Sequence, residues 1–139
     1  MKSKPTGSSS YDNPLGKKIL HLTLKKKWFD MIASGEKKAE YREVKMYWAS
    51  RLLSGFSKRH LSLSIHHLKC SYRTNSGETV LDAIKKDFDF VLFKNGYSKN
   101  SPYVLVEYLG VSIDIGYVNW GAENGKEYFV IKLGKIFKQ

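Results

Sequence analysis

The octapeptide Gly35-Glu36-Lys37-Lys38-Ala39-Glu40-Tyr41-Arg42 brings residue types together at a spacing that could do chemistry. On an extended strand Glu40 and Arg42 share one face, and Lys37 lies at the junction leading into it. A carboxylate between two cations keeps its charge and orients them, which suits a site for a phosphate or for the polar edge of a base. The same spacing also describes an ordinary ion pair on an exposed strand face, worth little to stability. A second carboxylate, Glu107, interrupts the apolar run from Tyr103 to Val111 and by parity shares a face with Tyr103, Leu105 and Leu109, where it needs a partner. Tyr97 follows Asn95-Gly96, a pair that favours a tight turn and would set the ring at the mouth of a cleft or at a plain hairpin tip.

The segment from Val44 to Gly77 contains no acidic residue. It carries Lys45, Arg51, Lys58, Arg59, Lys69 and Arg73, with His60, His66 and His67, interleaved with Tyr47, Trp48, Phe56 and Tyr72. Cations neutralise phosphates and aromatic faces stack on unpaired bases, so this mixture fits a single-stranded RNA surface, or equally a solvated loop of unspecific basicity. The chain of 139 residues has 24 Lys and Arg against 13 Asp and Glu, a net charge of +11. All of that excess precedes Glu78, because the remainder is balanced, and it favours polyanionic partners over acidic or apolar ones. The histidines and Cys70 do not make a metal site: adjacent ligands on a strand point apart, and no second cysteine completes a tetrahedral set. Gly110, Gly116, Gly121 and Gly125 match neither dinucleotide nor Walker spacing, so they read as turn residues and no cofactor is implied.

These residues need elements to position them. Lys18 to Leu24 alternates as a strand, and Lys25 to Ser34 switches to helical spacing with Leu24, Trp28, Met31 and Ile32 as its apolar face and Gly35 as the left-handed cap. Lys37 to Val44 alternates again, with Ala39 and Tyr41 opposite Glu40 and Arg42, and Lys45 to Gly55 reads as a second helix. Leu61, Leu63 and Ile65 alternate as a strand would, Thr74 to Gly77 reads as a turn, and Glu78 to Lys86 as a helical turn. Phe88 to Lys94, Tyr103 to Ile113 and Glu127 to Leu133 are strands by composition. Five or six strands with two or three short helices predict an α+β fold, a small, mostly antiparallel β-barrel with flanking helices, over residues 17–139 after a disordered basic lead of residues 1–16. A single cysteine excludes an internal disulfide, no apolar run approaches the roughly 20 residues that span a bilayer, and the N-terminus has no apolar signal-peptide stretch. A cytoplasmic protein without a membrane partner is expected.

Ile19 to Leu24, Trp28 to Ile32 and then Gly35-x-Lys37-x-x-Glu40-x-Arg42 resemble the activating-signal-cointegrator homology (ASCH) domain, whose hallmark is G-x-K-x-x-E-x-R after the first helix. Downstream, Asn95-Gly96-Tyr97, Glu107, Gly110, Trp120-Gly121 and Leu133-Gly134 resemble the small single-domain bacterial and phage members, so the resemblance covers roughly Lys18 to Ile136. It implies a PUA-like barrel, a cleft that receives the motif residues, and RNA binding. Some bacterial members are hydrolases that deacetylate N-acetylcytidine nucleosides with a Lys, a Thr and a Glu. Carried over by position, that Lys falls on Lys37 and the motif Arg on Arg42, while Glu40 occupies the Thr position and Glu107 is the candidate for the distal Glu. A carboxylate does not replace a hydroxyl nucleophile in the same mechanism.

Two functions from different classes follow. One is RNA or nucleotide binding through Lys37, Glu40 and Arg42, with Lys45, Arg51, Lys58, Arg59, Lys69 and Tyr97 extending the surface. The alternative is a small hydrolase acting on a modified nucleoside or on RNA, with Lys37 as base and Glu40 or Glu107 as partner acid. In the first case affinity for single-stranded RNA falls linearly with log salt, each neutralised phosphate contributing about 0.7 to the slope. Replacing Lys58 and Arg59 by Ala is then expected to flatten a measured salt titration by about one to two units, and an unchanged slope would remove that pair from the interface.

Overall fold

The computed structural model describes residues 16–54, 65–69 and 77–138. Their strands are β1 (Ile19–Thr23), β2 (Ala39–Glu43), β3 (Phe90–Lys94), β4 (Tyr103–Ile115) and β5 (Glu127–Lys138). The helices are α1 (Lys26–Ala33), α2 (Met46–Leu52), α3 (Ile65–Lys69) and α4 (Val80–Ile84), with a 3-10 turn at Val118–Trp120. The strands form one sheet in the order β1-β3-β4-β5-β2. β1 runs parallel to β3, with Ile19 opposite Phe90, while β3 pairs antiparallel with β4 and β2 antiparallel with β5. This is an α+β fold consistent with a small β-barrel flanked by helices, with one short helix more than the sequence predicts among the described residues. The expected N-terminal lead lies outside those residues apart from Gly16.

Packing resolves into two compact units. The first takes Met1–Lys38, Phe88–Leu109 and Leu133–Gln139. Its described core is Leu20, Leu22 and Leu24, Phe29 and Ile32 from α1, Val91 to Phe93 from β3 and Val104 to Val106 from β4. β1 alternates buried and open positions, as the sequence predicts for a strand with one wet face. In β3 and β4 three consecutive residues are buried, so both faces of those strands are covered and period-2 parity fails there. The second unit takes Ala39–Asp87 and Gly110–Lys132. Ala39, Ala122, Tyr128 and Val130 form a buried cluster on which Tyr41 and Trp120 pack. Gly116 sits against it because an added Cβ there would lie 3.2 Å from the Tyr128 ring.

Two expectations change. Trp28 is half-buried rather than core, because α1 turns Phe29 inward together with the expected Ile32. The strand expected through Leu61, Leu63 and Ile65 falls outside the described residues except at Ile65, where a helix begins.

Helix α4 shows local chemistry overriding its short length. Thr79 accepts the Asp82 N–H, and the Asp82 carboxylate accepts the Thr79 N–H, a reciprocal capping box. The Thr79 N–H, followed by Lys85, holds the Asp82 carboxyl below its ordinary range. A depressed carboxyl stabilises the fold above its unfolded pKa, and that contribution disappears as pH falls through the folded value. Loss of the reciprocal cap in Asp82→Ala is expected to cost about 1 kcal/mol or less at neutral pH, because the Asp82 side chain is 37% exposed and its charge is screened by solvent. In urea titrations at stepped pH, the gap to the natural protein should narrow once the medium is more acidic than the ordinary carboxyl range.

Candidate functional site

In the first unit the site begins with a glycine. Gly35 has φ of 86°, a left-handed conformation that ends α1, and its N–H donates to the Ile32 carbonyl. The chain then folds back so that the Lys37 N–H donates to the Met31 carbonyl at 2.9 Å. This turn carries the Lys37 side chain inward: the residue is 3% exposed, and its ammonium lies 5.2 Å from the centre of the Trp28 ring. The Lys27 ammonium lies 4.7 Å from the same ring, so Trp28 serves two cations rather than the core. Lys37 lines a cavity of about 170 Å³ with Ile32, Val106, Leu133, Gly134 and Lys135. Glu107, half-buried, accepts the Lys135 N–H at 3.1 Å, which is the partner that its position demands. Gly134 makes room for it, since an added Cβ would come within 3.0 Å of the carboxyl carbon.

In the second unit β2 supplies a buried carboxylate. Glu40 is 3% exposed and accepts a hydrogen bond from Arg42 Nη1 on the same strand face, as two-residue spacing requires. The same nitrogen donates to the Tyr41 carbonyl at 3.1 Å, and the guanidinium carbon lies 4.9 Å from the Trp48 ring centre. Tyr41, on the opposite face, accepts the Tyr117 N–H with its hydroxyl. On α2, Trp48 meets Tyr47 edge to face at 4.9 Å, and the Arg51 guanidinium lies 4.4 Å from the Tyr47 ring. Strand and helix thus carry a chain of contacts, Glu40 to Arg42 to Trp48 to Tyr47 to Arg51, in which two adjoining rings lie between two guanidinium groups.

Several expected phosphate contacts are already engaged with acids. Lys45 pairs with Glu43 at 3.3 Å, and Lys69 with Glu127 at 2.6 Å. Lys126 pairs with Glu43 at 2.9 Å, and these residues border an open hollow with Val44, Lys45, Gly125 and Glu127. Hydrogen bonds from Lys126 and then Lys45 hold the Glu43 carboxyl below its usual range, and the bond to Glu127 holds the Lys69 ammonium above its own. Arg51 stands on the exposed side of α2. Tyr97, in the first unit, is 88% exposed at a turn pinned by Asn95, whose N–H and side-chain amide donate to Pro102 and Leu24. Lys58 and Arg59 lie outside the described residues.

Strand spacing places Glu40 with Arg42, and the structure joins them. Sequence spacing missed the seating of Arg42 on Trp48 and of Lys37 on Trp28, contacts for which periodicity within one element carries no signal. No protein-family model, curated protein or solved structure matches the chain.

Removing one partner of a buried pair leaves a charge without its counter-charge, at a cost of about 3 to 5 kcal/mol. Glu40→Ala is expected to lower the urea midpoint accordingly, whereas Glu40→Gln, which keeps an acceptor for Arg42, should lose less than half as much. Equal midpoints for all three proteins would show that Glu40 does not anchor Arg42.

Proposed function

We propose that this chain binds RNA or nucleotides, with single-stranded RNA as the favoured partner. The observation that carries the reading is the Arg42 guanidinium, held by buried Glu40 and laid on the Trp48 ring. A planar cation fixed on an aromatic face by a buried counter-charge is pre-organised for phosphate or base recognition, because little side-chain entropy remains to be lost. The net charge of +11, all of it contributed before Glu78, supports the same partner. So does the resemblance of Gly35-x-Lys37-x-x-Glu40-x-Arg42 to the ASCH motif. A single cysteine fits a reducing, cytoplasmic setting. Among the described residues no helix is long and apolar enough to cross a membrane.

A second reading, a hydrolase acting on a modified nucleoside or on RNA, is favoured by one specific feature. Buried Lys37 lines a cavity of about 170 Å³, the size of a single small ring, in the unit that also holds Glu107. A desolvated amine of this kind can serve as a base.

Purified protein titrated with a labelled mixed single-stranded RNA pool, and separately incubated with N-acetylcytidine and with the same pool, tests both. The binding reading expects salt-dependent affinity with no turnover, and a drop of about tenfold or more for Arg42→Ala from loss of a charge-assisted contact. Turnover of either substrate that Lys37→Met abolishes would replace the binding module by an enzyme.

A further inference from the structure

The outer face of α2 holds a half-exposed aromatic ring with a cation beside it. Ala49 and Leu52 bury the inner face of the helix, while Tyr47 is 53% exposed. It is not loosely held. Arg51, one turn on, lies 4.4 Å from its centre, and Trp48 braces it edge to face at 4.9 Å. Trp48 is in turn fixed by Arg42, whose charge is tied to buried Glu40. A half-exposed ring that already contacts Arg51 and Trp48 has less freedom left to lose when a ligand stacks on it.

The surroundings select the ligand. From Val44 to Ser54, the stretch that contains α2, there is no acidic residue, and the carboxylate beside its start, Glu43, is paired with Lys45 and Lys126. An apolar peptide would gain nothing from Arg51, while a nucleotide uses both features, its base on the ring and its phosphate beside the guanidinium. We infer that Tyr47, backed by Arg51 and Trp48, is a stacking platform for one unpaired base of single-stranded RNA. The inference rests on the RNA-binding reading and gives it a specific contact. Stacking of this kind is tolerant of base identity, since every base presents a π face.

The test uses the full chain and two fluorescently labelled probes, an RNA octamer of uridines and an octamer of the same backbone without bases. Loss of one stacked base corresponds to about a five- to hundredfold weakening. Tyr47→Ala is expected to weaken the uridine octamer by that factor while changing the abasic probe by less than about twofold, and Tyr47→Phe, which keeps the ring, to bind like the natural protein. If the alanine variant loses its cooperative melt, Tyr47→Leu, which keeps bulk without a π face, takes its place against Tyr47→Phe. Equal affinity of the ring-free and natural proteins for uridine overturns the platform and leaves RNA binding standing. Equal weakening of both probes overturns it too, by assigning Tyr47 to the backbone or the fold. If the natural protein binds neither probe, the RNA reading falls and the platform with it.

Discussion

A carboxylate withdrawn from water has to be compensated where it sits, and Glu40 is 3% exposed. Its compensation comes from its own strand, two residues on, where Arg42 reaches back along the same face. That choice propagates. Arg42 is only partly exposed, so its guanidinium also needs partners, and it takes the Tyr41 carbonyl and the Trp48 ring. Trp48 in turn meets the Tyr47 ring, beside which Arg51 lies. The opposite face of β2 is free for packing, and Ala39 and Tyr41 use it against Ala122, Tyr128 and Val130.

Net charge is a coarse guide to where a polyanion would feel attraction. Three lysines of the second unit, Lys45, Lys69 and Lys126, are each joined to a carboxylate. Such surface pairs add little stability, but they cancel field locally and weaken with salt. A phosphate approaching Lys69 competes with Glu127, whereas one approaching Arg51 meets a guanidinium whose neighbour is a neutral ring. The basic surface is therefore uneven in strength, in a way that composition does not disclose.

Much of the order of elements was legible. Alternation identifies β1 and β2, and Gly35 marks the end of α1 because only a residue without Cβ adopts a φ of 86° at little cost. The pairing of Glu40 with Arg42 follows from strand geometry alone. The misreadings have physical causes. Trp28 falls on the apolar spacing of α1, but burial follows Phe29 and Ile32, and the lysine that joins Lys27 at its ring comes from beyond the helix. Parity placed Glu107 among Leu105 and Leu109, yet Val104, Leu105 and Val106 are all buried while Leu109 is 57% exposed. β4 is the middle strand of the sheet, and a strand covered on both faces carries no alternating signal. The bond from Lys69 to Glu127 joins positions 58 residues apart, a separation no local pattern encodes.

The two packing units are not consecutive stretches of sequence. One is assembled from three pieces of chain and the other from two, and β4 and β5 each begin in one and end in the other. A gene fragment covering either half of the chain would therefore encode parts of both units rather than a whole core. Each core closes only when distant stretches of the chain have been brought together, so the fold is specified by the chain as a whole even though its packing is divided.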